Sequence, residues 1–112
     1  MNTVLLVGRI THDVEIKHVG DGYSICNISL AVRRGFKNSD GEYEVDFIPV
    51  TLWEGVANTC KEICKKGSLI ALTARVHMEK RELEEGRVIN QMKLIGEKLS
   101  LFSSPRQQEE QE

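Results

Sequence analysis

The sequence predicts an all-β fold, a five-stranded Greek-key barrel with one short helix between the third and fourth strands. Five segments alternate apolar and polar residues with the period of two that marks a half-buried strand. Only residues 56–66 show helical spacing of apolar residues. Strands without further helices to cover them favour a closed barrel over an open α/β sheet.

The first strand is predicted over residues 3–10. Gly8 interrupts its row of side chains, which indicates a bulge or a close approach of another backbone. Residues 14–19 alternate again and are expected to continue this strand or pair with it. The glycines of the following Gly20-Asp21-Gly22 allow a tight turn into the next segment.

Residues 23–53 are predicted to form a long β-hairpin that turns at residues 38–41. Each arm carries a continuous apolar row that is expected to face the core: Cys26, Ile28, Leu30 and Val32 in the first arm, and Ile48, Val50 and Leu52 in the second. Alternation then places Phe47, Thr51 and Trp53 on the opposite face.

This opposite face has the composition of a nucleic-acid surface. Phe47 and Trp53 lie about 20 Å apart along one strand, and Arg33 ends the polar row of the other arm. Phe36 lies near the hairpin tip, between Arg34 and Lys37. A base stacked on such a ring contributes roughly 1–3 kcal/mol whatever its identity. The alternative is that the two rings pack under a helix or in a subunit interface.

The helix over residues 56–66 has one apolar stripe, formed by Val56, Cys60, Ile63 and Cys64, and is expected to plug the barrel. Lys65 and Lys66 are placed in its last turn, and Gly67 is predicted to be its C′ glycine.

The fourth strand is predicted over residues 69–79. Its core row is Ile70, Leu72, Ala74, Val76 and Met78, and its outer row is Thr73, Arg75 and His77. Residues 80–87 form a charged hairpin with Glu85-Gly86 at the turn. A final strand covers residues 88–95 and resumes at 99–102 beyond a break at Gly96.

Composition gives no global sign of a nucleic-acid partner. Charged residues make up 29% of the chain, and the net charge is −2. Without residues 105–112 the body carries 14 basic and 14 acidic residues. Binding of phosphate must therefore depend on where individual arginines and lysines lie.

The three cysteines are expected to be free thiols in a reducing compartment, because their number is odd and none forms a CxxC motif. A metal site would need Cys60 and Cys64 together with a distant His12, His18 or His77. The second close pair of a structural zinc site is missing, so no metal or cofactor is expected. Residues 1–10 do not resemble a signal peptide and no transmembrane span is apparent, which favours the cytoplasm.

The predicted strand and helix order is that of the OB-fold, whose central strands often bind oligonucleotides. Residues 2–102 also resemble the bacterial single-stranded DNA-binding proteins. The matching segments, in order, are NTVLLVGRIT, ISLAVRRGFKN, GEYEVDFIPVTLW, CKKGSLIALTARV and EEGRV. Their order and spacing together make the resemblance specific.

The resemblance implies an OB-fold homotetramer that binds single-stranded DNA without sequence preference in replication, recombination or repair. The stacking positions of that family fall on Phe36, Phe47 and Trp53. The matching basic positions are Arg9, Lys17, Arg33, Arg34, Lys37, Arg75 and Lys80. Arg81 lies near a position where some members carry another aromatic ring, and a guanidinium can also stack on a base.

The chain departs from the family in its tail. Residues 1–102 are predicted to be the OB-fold domain, and residues 103–112 a disordered acidic tail. That tail ends in QEEQE and lacks the long linker and the acidic tip with proline and phenylalanine that housekeeping members use to recruit other enzymes. Tail-mediated recruitment is therefore expected to be absent.

The sequence leaves other functions to consider. The face with the rings could bind protein, as in an OB-fold accessory module of a primosome or recombination complex. An enzyme is not expected, because the chain shows no nucleophile–base pair, phosphate-cradling glycine loop or metal-ligand cluster; Asp13 and Glu15 are the exterior charges of a strand. RNA stays open as a ligand, since no residue visibly reads a 2′-hydroxyl.

Overall fold

The computed structural model describes residues 1–105 as six strands and one helix. These are β1 (Val4–Ile10), β2 (Lys17–Val19), β3 (Tyr23–Lys37), β4 (Tyr43–Trp53), α1 (Glu54–Ile63), β5 (Leu69–Glu82) and β6 (Val88–Ser103). The five predicted strands and the position of the helix are confirmed. The three-residue β2 is an addition, so in this numbering α1 lies between β4 and β5.

The strands form one sheet that closes on itself. Their order is β1-β5-β6-β4-β3-β2, and a further pairing of β1 with β3 completes the barrel. That closure uses two residue pairs, Arg9↔Ala31 and Ile10↔Leu30. The parallel contact of β4 with β6 also spans two pairs, Thr51↔Ile95 and Leu52↔Gly96. The architecture is the OB-fold that the alternation predicted.

The barrel interior is filled by the apolar rows that the sequence predicted. The two arms of the central hairpin contribute Cys26, Ile28, Leu30, Val50 and Leu52, all buried. Ile48 and Val32 are partly buried and pack against them. Each buried aliphatic side chain of this size contributes about 1.5–3 kcal/mol relative to an exposed one. The outer face of the same hairpin is not part of this core.

Two glycines permit close packing of strands. A Cβ on Gly8 would lie 2.6 Å from the carbonyl oxygen of Ala31, which confirms the predicted close approach of another backbone. A Cβ on Gly96 would overlap the Leu52 side chain. The predicted break at Gly96 is wrong, because β6 runs through it and only the register with β5 shifts, from Ala74↔Gly96 to Thr73↔Lys98.

The helix is displaced from its predicted bounds. It begins at Glu54 and ends at Ile63, so Glu54 and Gly55 start the helix rather than end the strand. Glu54 has a φ of +49°, and its carboxylate accepts a 2.7 Å hydrogen bond from the Ser24 N–H. This bond ties the start of α1 to β3 directly beside Trp53.

The C-terminal end of α1 also differs from the prediction. Cys64 is extended, with φ −117° and ψ 156°, so Lys65 and Lys66 lie beyond the last turn. Gly67 is not a C′ glycine. It has a φ of +90° in a turn that closes with a 3.0 Å hydrogen bond from the Ser68 N–H to the Lys65 carbonyl.

Two predicted apolar positions are exposed. Met78 is 56% exposed because β5 and β6 continue as a hairpin past the barrel, as far as Glu82 and Val88. Ile63 of the predicted helical stripe is also exposed, and Ala57 takes its place beside Cys60 in the core. The predicted turn at Glu85-Gly86 is confirmed, with Gly86 at a φ of +77°.

The segment after β1 differs in its partner. Only Lys17–Val19 is a strand, and it pairs with β3 rather than with β1. Val14 is buried in the core, and its carbonyl accepts a 2.9 Å hydrogen bond from Lys61 Nζ of α1. The segment therefore links the helix to the sheet.

All three cysteines are free and buried. Within residues 1–105, no cluster of three or more His, Cys, Asp or Glu side chains could hold a metal ion. The described part of the chain also holds no helix that is both long and apolar enough to span a membrane. Of the predicted tail, Ser103 ends β6 and residues 106–112 lie outside the described residues. The division into a domain of 1–102 and a tail of 103–112 stays a prediction.

Candidate nucleic-acid interface

The outer face of the β3–β4 hairpin presents the two predicted rings. Phe47 is 67% exposed and Trp53 is 39% exposed. Between them, Thr51 Oγ1 donates a 3.0 Å hydrogen bond to Asn27 Oδ1 across the two strands. The two rings and Thr51 therefore share one accessible face, as the alternation predicted.

A groove of about 500 Å³ crosses this face and reaches the β5–β6 hairpin. It is lined by Ile25, Asn27, Thr51, Trp53, Arg75, His77, Glu79, Lys93 and Ile95. The register explains how distant segments meet there: Thr51 pairs with Ile95 of β6, and Ile95 pairs with Arg75 of β5. Arg75 is thereby placed on the same face as Trp53.

A second, more apolar cleft of about 320 Å³ continues the groove where β4 and β6 separate. Its walls include Ile48, Pro49, Met92 and Leu94. The two grooves together form a channel along β4, with Trp53 on one wall and residues of the β5–β6 hairpin on the other.

The hairpin tip carries the third ring. Arg33 pairs with Val45 and Lys37 pairs with Tyr43, so between these two pairs β3 advances by four residues and β4 by only two. This two-residue bulge contains Phe36, whose side chain is 76% exposed. Bulges bend a strand and redirect its side chains, and Phe36 is accordingly exposed at the tip of the hairpin.

Tyr43 is a residue of the tip that sequence reasoning missed. The Arg33 guanidinium lies 4.4 Å from the centre of its ring, and Lys37 Nζ lies 5.8 Å from it. The signal was present, because the outer row of β4 runs back from Phe47 through Val45 to Tyr43. The aromatic row is therefore longer than predicted.

Arg34 lies on the other side of the hairpin. Its guanidinium bonds Asp46 Oδ1 at 3.0 Å and Glu44 Oε2 at 3.2 Å. Both carboxylates belong to the even-numbered row of β4, which continues the core face beyond the barrel. The hydrogen bond from Arg34, with its positive charge, lowers the pKa of Asp46 below its ordinary value. Of the basic residues predicted at the tip, Arg33 and Lys37 lie on the face with the rings and Arg34 does not.

Arg9 and Lys17 flank the face from two other strands. Arg9 pairs with Ala31, which in turn pairs with Phe47, and the Arg9 guanidinium donates to the Gly67 carbonyl at 2.9 Å. Lys17 pairs with Ile25, the neighbour of Trp53. The backbone of each basic residue thus lies two strands, or about 10 Å, from the backbone of a residue that carries a ring.

The β5–β6 hairpin presents its charges in pairs. Arg75 lies 3.7 Å from Glu97, and Lys93 lies 3.2 Å from Glu79. Arg81 follows Arg75 in the alternating row of β5, whereas Lys80 falls on the opposite face of the hairpin. Lys93 and Glu79 were missed as groove residues, because only the pairing of β5 with β6 shows which charges meet.

The first 102 residues match the model of the single-strand binding protein family. The chain belongs to that family. Three relatives that are single-stranded DNA-binding proteins are 33–40% identical to it over most of its length.

One such family relative is single-stranded DNA-binding protein B of Bacillus subtilis, 40% identical over 76% of this chain and 75% of its own length. Another is single-stranded DNA-binding protein 3 of Streptococcus agalactiae, 34% identical over 98% of this chain and 80% of its own. Single-stranded DNA-binding protein 1 of Lactococcus lactis is 33% identical over 99% of this chain and 74% of its own. The family resemblance seen in the sequence is confirmed.

Proposed function

We propose that this protein binds single-stranded DNA without sequence preference and protects it during replication, recombination or repair. The observation that carries the proposal is the set of exposed rings, with Phe47 and Trp53 on the outer face of β4 and Phe36 near the hairpin tip. Stacking on such rings accepts any base, because every base has a π-face. Membership of the single-strand binding family, and the names of the relatives, support the same function.

The backbone of the bound strand would contact the cations of the same face. Arg33 and Lys37 at the tip are directed to the ring of Tyr43, so their charges remain available to phosphate. Arg75 lines the groove, and we propose that Arg9, Lys17 and Arg81 extend the surface that contacts phosphate. Because binding to phosphate releases counterions, affinity should fall steeply as salt is added.

The proposed activity is binding rather than catalysis. The channel is lined by Trp53, by aliphatic and amide side chains and by paired charges, a set suited to holding a flexible strand. We place the protein in the bacterial cytosol or nucleoid, where single-stranded DNA arises. The absence of tail-mediated recruitment remains a prediction from the composition of residues 103–112.

We also propose that the protein works as a homotetramer. On the outer face of β1, Leu5 is 75% exposed and Val7 is also exposed. Over residues 4–8 the strand pairs only with β5, so in the described chain its other edge is unpaired. An exposed apolar edge strand readily adds a strand from a second copy. Light scattering should give a tetramer mass, and Leu5→Glu should reduce it.

The experiment that tests DNA binding is a titration of the Trp53 fluorescence with oligo(dT), at low and at high salt. Trp53 is the only tryptophan, so the signal has one source. Quenching that weakens with salt would support stacking of a base on this residue. A gel shift without quenching would keep the function and refute the site. Neither quenching nor a shift would favour a protein partner for this face.

A further inference from the structure

We propose that Glu79 limits the affinity of the channel for single-stranded DNA by competing with phosphate for Lys93. The inference rests on the proposed function and concerns one wall of the same channel. Glu79 would then tune the affinity for DNA, and a phosphate of the DNA backbone would have to displace its carboxylate.

Glu79 lies between two nitrogen-bearing side chains. Its Oε2 is 3.2 Å from Lys93 Nζ, and its Oε1 is 3.6 Å from His77 Nε2. The register brings them together, because His77 pairs directly with Lys93 across β5 and β6, and Glu79 follows His77 by one step of the alternation. The carboxylate therefore uses both of its oxygens on groups that a phosphate would also seek.

This cluster is part of the channel wall. His77, Glu79 and Lys93 line the groove of about 500 Å³ together with Trp53 and Thr51. All three side chains are a little over 40% exposed, so a strand stacked on Trp53 would have access to them. Phosphates within about 8–10 Å of a carboxylate feel its repulsion at ordinary ionic strength.

The hairpin tip offers the comparison that makes Glu79 a competitor. Arg33 and Lys37 face the ring of Tyr43, which has no charge to neutralise them. In the groove, Lys93 faces Glu79 and Arg75 faces Glu97. Within residues 1–105, Arg33 and Lys37 therefore have no carboxylate partner at one end of the face, whereas Lys93 and Arg75 are paired at the other. Phosphate can bind Arg33 or Lys37 without displacing a carboxylate, but in the groove it must replace one.

The direct test is Glu79→Gln, which keeps the shape of the side chain and removes its charge. An exposed ion pair is weak, so the expected gain in affinity for oligo(dT) is about two- to fivefold at low salt. Releasing one cation to phosphate should steepen the dependence of log K on log salt by about 0.7. The titration is best done at about pH 8.5, above the range in which an ordinary histidine changes charge.

The matched control is Glu62→Gln on α1, an exposed glutamate that makes the same change in net charge outside the groove. Lys93→Gln and the double variant with Glu79→Gln complete a cycle. If Glu79 acts through Lys93, its replacement should gain much less affinity once Lys93 is gone. Thermal unfolding of every variant confirms that differences in binding do not reflect loss of the fold.

Tighter binding with a steeper salt slope for Glu79→Gln, and not for Glu62→Gln, would support the inference. Unchanged binding would overturn it, and so would weaker binding, which would show that Glu79 holds the cations in place for DNA. Equal gains from the two glutamate variants would reduce the effect to net charge and also overturn it. If the wild-type chain failed to bind oligo(dT), the proposed function would fall together with the inference.

Discussion

Replacement of Gly8 by alanine should open the barrel where β1 meets β3. The added Cβ would lie 2.6 Å from the Ala31 carbonyl oxygen and 3.0 Å from Val32 Cγ2. The first of these atoms belongs to the backbone and cannot rotate away. The strain must therefore be relieved by moving one strand relative to the other.

The size of the effect follows from that geometry. Ordinary contact begins at 3.4 Å, so the strands would have to separate by about 0.8 Å. A shift of that size would break the nearby bond from the Thr11 N–H to the Ser29 carbonyl, now 3.0 Å. Overpacking costs about 1–3 kcal/mol and each lost hydrogen bond about 1 kcal/mol. We expect a loss of about 2–4 kcal/mol, or roughly 8–16 °C in Tm for a domain of this size.

Guanidinium unfolding followed by circular dichroism measures this loss. All variants should be compared at one protein concentration, because self-association changes apparent stability. Gly35→Ala is the matched control: no atom lies within 4 Å of its added Cβ, so its stability should stay within about 0.5 kcal/mol of wild type. A Gly8→Ala protein as stable as wild type would refute the close approach of β1 and β3.

Tyr43→Leu should weaken oligo(dT) binding and leave Tm unchanged, because the ring is partly exposed and Arg33 lies over it. Loss of a stacked base should cost about 1–3 kcal/mol of binding free energy. Unaltered affinity would exclude Tyr43 from the interface. Burial, and to a smaller extent the neighbouring thiols, raises the pKa of Cys60, so a thiolate-selective reagent should label Cys60 only after unfolding. The free energy of unfolding should also fall as pH rises above about 8.5, because thiols of the unfolded chain ionise there. Rapid labelling of the native protein would contradict its burial. The hydrogen bond from Arg34 lowers the pKa of Asp46, so its contribution to stability is present at neutral pH and is lost as pH falls below about 3.9. Asp46→Asn should therefore reduce the loss of stability on acidification, and an identical acid-unfolding curve would refute the pairing in solution.

Period-two alternation was sufficient to predict the faces of the central hairpin. A shift of one residue would exchange every side chain between core and solvent, so the continuous aliphatic row of β4 left one placement for Phe47 and Trp53. The same alternation identified Arg75 as an outward residue of β5. Which side chains lie opposite it depends on pairing between distant segments, and no local pattern contains that information.

The errors have physical reasons of the same kind. Lys17–Val19 pairs with β3 because Val14 is buried in the core and tied to α1 through Lys61, both non-local contacts. Alternation also breaks down at irregularities. The two extra residues in the β3 bulge keep the parity but shift the partners at the tip by two positions, so the meeting of Arg33 with Tyr43 was not predicted. Met78 was predicted to be in the core because it continues the apolar row of β5, but it lies beyond the point where the barrel ends.

The two short closures are the least extensively paired parts of the barrel. β3 and β4 share ten residue pairs and β5 and β6 share fourteen, whereas each closure holds only two. The single sheet thus consists of two extensively paired sub-sheets, β2-β3-β4 and β1-β5-β6, joined by two short hinges. Amide hydrogens at the hinges should exchange with solvent before those inside either sheet. A DNA strand lying across the β4–β6 hinge would fasten one sheet to the other and slow the exchange there.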